Sequence, residues 1–405
     1  MKFGKQLAWE DAKSKRRRLL AEFLQTKAAR RAANAQLQET TSENQQTEFQ
    51  NHQIMKVPHD LLFKIFILLP AESLFMLQFV CKKWFSLINS SAFIRDHSQQ
   101  SEIVLISQNL TLSGPENNPK SYFHFLDLDQ GNHNFIESNV VVLVDVLASC
   151  DGLVLATVEN KKSLILMNPL TRKHKKLPLG TATDFGFELY GVAFCNDLNH
   201  YKVVHLFYEE QGCSGCEILS ISAARKWTRM EGPSSELLRY IRRINPVFVG
   251  GSLFWISKKH YFISICVESE KFITKSLPAM SSNTKDSRLM EIEGSLGFLS
   301  YDEDDNKLQV WILMSDGGLE ENWVKSYSID VNACVVPICS LRNGKEMVLE
   351  SSRHRLYVCE FDSGKMKLVH SGDQDIELWY QRIEKLYIPH RNTLVSWEDH
   401  HEILC

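Results

Sequence analysis

The chain has 405 residues, a formal net charge of −3 and ten cysteines. That length exceeds an ordinary domain, so two folded units with flanking segments are expected. No apolar stretch follows the first Met and no uncharged run approaches membrane-spanning length, so a secretory leader and a membrane anchor are not expected.

The irregularly scattered cysteines fit a soluble, reducing compartment with free thiols, where Asn89-Ser90-Ser91 and Asn109-Leu110-Thr111 would carry no glycan. Residues 1–37 hold ten Lys/Arg against three Asp/Glu, a local +7 that leaves −10 for the rest. Their Ala, Lys, Arg and Leu content allows a helical extension. Lys13, Lys15, Arg16, Arg17 and Arg18 form a basic run of the kind read by nuclear import, so nucleus and/or cytoplasm is the expected location. A solvated basic tail is the plain alternative. No aromatic residues interleave with the charges, so nucleic acid is not an expected partner. Residues 38–53, polar with almost nothing to bury, read as a linker.

Two helical patterns follow within 54–98. Leu61, Leu62, Ile65, Phe66 and Leu69 recur at helical spacing behind Pro58, and Pro70 stops that helix. Leu74, Leu77, Cys81, Trp84 and Ile88 then repeat at three-and-four spacing, with Ser73 as a cap and Asn89-Ser90-Ser91 as the end. About 40 residues form a poor core alone, so this stretch packs on the rest of the chain or docks a partner.

The same residues resemble the F-box, the motif that recruits the Skp-type adaptor of cullin-RING ubiquitin ligases. Val57-Pro58-His59-Asp60-Leu61-Leu62, Ile65 and Leu69-Pro70 follow its opening, with Val57 standing for the usual Leu. Phe79-Val80-Cys81-Lys82-Lys83-Trp84, Leu87-Ile88, Phe93 and His97 follow its second half. The resemblance implies that Pro58, Leu61, Leu62, Ile65, Leu69, Pro70, Val80, Cys81 and Trp84 face or support the adaptor, and through it a cullin and a RING protein.

From about residue 101 the pattern turns to alternating strands broken by Gly, Asn, Asp and Pro. Candidate strands are 102–106, 140–146, 153–158, 163–167, 189–194, 202–208, 216–220, 247–249, 253–256, 261–267, 297–301, 308–314, 323–328, 346–350, 355–360 and 379–387. So many short strands over about 300 residues point to an all-β propeller, or else a barrel or sandwich. Turn glycines before apolar runs, as in Asp151-Gly152-Leu153, Gly251-Ser252-Leu253 and Gly294-Ser295-Leu296, favour the propeller. So do the paired steps Lys226-Trp227-Thr228-Arg229 and Asn322-Trp323-Val324-Lys325. The number of blades stays open.

In order along 101–390, Cys150-Asp151-Gly152-Leu153, Asn168-Pro169-Leu170-Thr171-Arg172, Leu177-Pro178, Tyr190-Gly191-Val192-Ala193-Phe194 and Tyr201-Lys202-Val203-Val204 are similar to signatures of the plant F-box-associated interaction domain, which is propeller-like and kelch-related. The residues themselves read as turns and blade packing: Pro169 fixes φ, and Trp255, Trp311 and Trp323 suit blade interfaces. Residues 391–405 read as a tail.

Candidate active sites fail on their chemistry. Cys213-Ser214-Gly215-Cys216 lacks a second ligand pair for zinc, and Asp302–Asn306 lacks the Gly and the closing Glu of a calcium loop, so no metal is expected. Asp184-Phe185-Gly186 has no companion kinase motifs, and His400-His401-Glu402 lacks helical His spacing. The expectation is therefore multidomain α + β: a short helical F-box, then a large all-β propeller-like domain, without cofactor or catalysis. It would serve as the substrate-recognition subunit of an SCF-type ubiquitin ligase, binding a Skp-type adaptor and an unidentified protein substrate. A non-ligase scaffold and a ligand-binding propeller are the alternatives.

Overall fold

The computed structural model describes residues 57–113, 118–126, 128, 133–135, 144–158, 163–181, 187–208, 213–221, 226–242, 244–279, 284–315, 321–331, 334–341, 344–351, 355–371 and 387–397. The basic run at Lys13–Arg18, the linker, Asp184-Phe185-Gly186 and His400–Glu402 lie outside them.

Four short helices come first. Helix α1 (His59–Phe66) starts directly after Pro58, whose carbonyl accepts from the Leu61 and Leu62 amides at 3.1 Å. A proline there forfeits no helical hydrogen bond. Helix α2 (Ala71–Leu77) begins after Pro70, α3 (Lys82–Ile88) follows, and α4 (Ser91–Gln100) is capped by Ser90, whose Oγ accepts from the Phe93 amide at 3.3 Å.

The single helix expected over 74–88 is thus two, and Ser73 sits inside α2 rather than capping it. Cys81, with φ −156°, is extended backbone between them. No Gly or Pro marks this break, and the apolar spacing runs straight through it. The break is set by packing: it lets Leu74 on α2 and Ile88 on α3 both be fully buried, with Leu87 and Phe93 beside them in the buried set. Phe66 meets Trp84 edge to face at 4.9 Å, and the buried His97 donates Nε2–H to the Leu69 carbonyl at 2.8 Å.

Six four-stranded antiparallel sheets follow among the described residues. Blade I joins Tyr387–Arg391 to Ile103–Ser113, Asn118–Leu126 and His133–Phe135. Blade II comprises Val144–Cys150, Leu153–Val158, Ser163–Asn168 and Lys173–Leu177; blade III comprises Glu188–Cys195, His200–Tyr208, Ser214–Ser220 and Thr228–Met230. Blade IV comprises Val247–Val249, Ser252–Ile256, Tyr261–Cys266 and Lys271–Ser276; blade V comprises Thr284–Ile292, Ser295–Asp302, Lys307–Ser315 and Glu321–Asp330. Blade VI comprises Val335–Leu341, Glu346–Ser351, Leu356–Glu360 and Met366–His370. The strand named first in each blade is innermost. Contacts between neighbouring blades run through these strands from I to VI and back to I, which makes the sheets a closed propeller.

The first hairpins of blades II, IV and V use Asp151-Gly152, Gly250-Gly251 and Glu293-Gly294, with φ between 49° and 87° at every one of the six residues. Two consecutive left-handed residues match the twist of a two-residue hairpin, and Gly at the second position accepts it without strain. Apolar clusters fill the seams between blades. Trp255 packs with Leu206, Cys216 and Ile263 across blades III and IV, while Trp311 and Trp323 lie against Phe262, Leu277 and Phe298 across IV and V. Trp227 and Trp323 each donate Nε1–H at 3.0 Å to a backbone carbonyl at the end of the preceding blade's outer strand, Pro178 and Ser276 respectively.

Ring closure comes from the far end of the chain. Tyr387–Arg391 pairs antiparallel with Ile103–Ser107, Arg391 opposite Ile103 and Tyr387 opposite Ser107. The tail expected from 391 is instead packed as far as Trp397, with Thr393, Leu394, Val395 and Trp397 buried. The reason is Asn168: its Nδ2 donates to the carbonyls of Thr393 and Val395 at 2.9 Å each, and Thr393 Oγ1 donates to the Asp151 carbonyl at 2.7 Å. Gly152 permits this approach, since a Cβ there would lie 2.0 Å from Thr393 Oγ1.

Candidate functional site

Among the described residues, seven of the thirteen large apolar side chains left exposed belong to residues 61–85: Leu61, Ile65, Leu68, Met76, Phe79, Val80 and Phe85. The other six are scattered over the propeller. On α1, Leu61 and Ile65 stand one turn apart and are 51% and 53% exposed, while Leu62 is turned inward and buried. Pro58 and Pro70 are exposed, and Leu69, Cys81 and Trp84 are half-buried. The turn between α2 and α3 presents Phe79 and Val80, each more than 60% exposed. Leu62 is thus the buried member of the expected adaptor set and Trp84 a half-buried one, and Pro58, Leu61, Ile65, Pro70 and Val80 are its exposed members.

Leu68, Met76, Phe79 and Phe85 were not in that set. Leu68 lies in the turn after α1, Met76 on α2, Phe79 at the break before α3 and Phe85 on α3, and only Phe79 belongs to the F-box-like run Phe79–Trp84. Exposed large apolar side chains concentrated in so short a stretch are what a docking surface requires and what an isolated surface seldom keeps.

A second feature lies within the propeller. A cavity of about 680 Å³ follows the innermost strands of blades I, II, IV, V and VI. At the end where these strands finish it is floored by Cys150, Asp151, Glu291 and Arg391, with Arg391 Nη2 3.6 Å from Glu291 Oε2. Midway stand Cys339 and His390, whose Nδ1 lies 2.9 Å from Ser149 Oγ. Where the strands begin, the wall is Ile244, Pro246, Phe248, Val336 and Ile338, all half-buried.

Burial governs the titration of these groups. It pushes the Cys150 thiol well up, assisted by Asp151, and lifts the Asp151 carboxyl above the usual range although Cys150, Arg391 and Tyr201 pull the other way. It pushes Cys339 up to about 12 and His390 down to about 3. The middle of the cavity is thus polar but uncharged at neutral pH.

A further cavity of about 1220 Å³ separates Pro70–Glu72 and His97–Ser101 from Glu291, Glu293, Gly294, Ser340, Arg391 and Asn392. Asn392 Nδ2 donates to Glu72 Oε1 at 2.6 Å across it. Residues of α2 and α4 therefore cover the end of the propeller at which the inner strands finish.

The remaining sequence candidates find structural places. Cys213 is exposed at a strand start, whereas Cys216 is buried in the seam of blades III and IV, which pushes its thiol up to about 12. Asp302–Asn306 is a hairpin tip, closed by a 2.8 Å bond from Tyr301 Oη to Asn306 Oδ1. Among the described residues no group of His, Cys, Asp or Glu is placed to hold a metal ion, and no helix is long and apolar enough to cross a membrane.

Known proteins match in the same two parts. A family model described as F-box associated beta propeller domain matches residues 98–390, and one described as F-box-like matches residues 54–100. From Arabidopsis thaliana, F-box protein At3g07870 is 24% identical over 400 residues, covering 80% of this chain and 94% of its own. Putative F-box protein At5g50220 is 26% identical over 308 residues, covering 72% and 77%, and F-box protein CPR1 is 24% identical over 357 residues, covering 78% and 85%.

Proposed function

This chain belongs to the plant F-box proteins with an F-box-associated β-propeller domain, and from that premise we propose that it is the substrate-recognition subunit of an SCF-type ubiquitin ligase. Its F-box holds a Skp-type adaptor, which links it to a cullin and a RING protein, and its propeller holds the protein to be modified. The chain brings partners together and makes no bond itself. Ligase action is then proximity: tethering raises the effective concentration of target lysines near a ubiquitin-charged enzyme carried elsewhere in the assembly.

The observation that carries this reading is the exposure of Leu61 and Ile65 on α1 and of Leu68, Phe79 and Val80 beyond it. Apolar anchors of this size contribute about 2 kcal/mol or more each at the centre of an interface. Co-purification with a Skp-type adaptor tests it, comparing the unaltered chain with Leu61→Asp plus Ile65→Asp. Both positions are exposed, so the variant keeps its fold, and the complex is expected to vanish. A folded variant that still holds the adaptor stoichiometrically overturns the reading. An adaptor complex that never turns over a bound protein would instead favour a scaffold.

A further inference from the structure

The inner-strand cavity has one end covered and one end facing away. Residues of α2 and α4 stand over the finishing ends of the strands, at Gly294, Ser340, Arg391 and Asn392. The starting ends, marked by Ile244, Cys334, Val336 and Tyr387, lie a strand length from there. A protein captured by the propeller without disturbing α2 and α4 approaches from that second side.

The chemistry of the lining is selective. The apolar part of the wall at this mouth is Ile244, Pro246, Phe248, Val336 and Ile338, all partly exposed, with Asn245 and Ser351 as its uncharged polar members. Arg391 on the floor is engaged by Glu291, and Arg288 at mid-strand and Glu350 at the mouth have opposite signs and partners of their own. An incoming charge would lose its water and find no free counter-charge among these groups, which disfavours it strongly. The volume falls in the range that encloses a ligand or several side chains. Among the described residues, the other exposed apolar side chains of the propeller, such as Leu198, Ile273 and Leu368, stand on different blades.

We propose that this mouth seats a run of uncharged, apolar side chains from the captured protein, a reading that rests on the receptor function above. Val336 and Ile338 on the inner strand of blade VI offer part of the wall, and Ile244 and Phe248 at the inner strand of blade IV offer another part.

The test uses the full chain co-purified with its adaptor and a random peptide library displayed on phage. Enriched peptides are expected to share an uncharged apolar core. Val336→Glu is expected to weaken a labelled enriched peptide by at least about tenfold, the effect of losing one anchor. If Val336→Glu does not fold, Val336→Thr, nearly the same shape but polar, should weaken it several-fold. Enrichment of acidic or basic peptides, affinity unchanged in a folded variant, or no enriched peptide while the adaptor stays bound overturns the cavity proposal and leaves the receptor reading intact. Loss of adaptor binding by the unaltered chain overturns the receptor reading, and with it the premise of this one.

Discussion

Asn168 uses its whole side-chain amide: Nδ2 donates to Thr393 and Val395, and Oδ1 accepts from the Leu170 and Thr171 amides at 2.9 and 3.1 Å. Replacement by Ala leaves buried carbonyls and amides without partners, at about 1–3 kcal/mol for each unsatisfied group. Asn168→Ala should therefore lower stability by about 2–4 kcal/mol in urea unfolding, and a loss well under 1 kcal/mol would show that this contact does not hold the closing segment. Glu217 is the residue to follow with pH. Burial pushes its carboxyl up, but His205 Nδ1 at 2.8 Å and the Thr181 amide and hydroxyl at 2.7 and 3.0 Å outweigh that and hold it below the usual range. A folded-state value below the unfolded one stabilises the protein above the ordinary carboxylate range and is lost as pH falls through the folded value. Melting temperature should drop below about pH 5, as pH falls toward the lowered folded-state value, more steeply in the native chain than in Glu217→Gln; parallel profiles would remove Glu217 as a contributor.

At the level of elements, legibility followed burial. The strands 153–158 and 247–249 were read to the residue, and those of 163–168, 188–195 and 307–315 within two, because both faces of inner and middle strands are apolar. The outer strands Lys173–Leu177, Lys271–Ser276 and Met366–His370 carry no clear strand signal: the first two are mostly exposed and rich in lysine, and the third is five residues with only two of them exposed. Lysine there suits an edge that must not pair with another chain. The inner strands Thr284–Ile292 and Val335–Leu341 were missed for other reasons, since the first opens on charged residues and the second carries a proline at its bulge. In the helical part, the adaptor motif is plain in the sequence, but the placement of Phe79 and Phe85 depends on a break that no breaker residue announces. The cavity was illegible, because its wall is drawn from five blades and no local motif joins Ile244 to Val336.

For the molecule as a whole, closure is the property that no single element carries. Contacts between blades I and II and between VI and I pass through Tyr387–Arg391, and both Ile106 and Leu105 find their seam partners in Ile388 and Tyr387. Removing residues 387–405 strips the inner edge of blade I and opens two seams. Such a chain should lose its single cooperative unfolding transition, whereas a transition of unchanged midpoint would mean that five blades and three strands suffice.

That arrangement also fixes an order in time. The ribosome delivers the helices of 59–100 well before the strand that completes blade I, so the innermost position of the first blade waits for about 280 residues to emerge. A message cut short before the codon for Tyr387 would still encode the F-box but no finished propeller. Synthesis itself, by delivering the closing strand after the other five blades, separates in time the helical module from the completed ring.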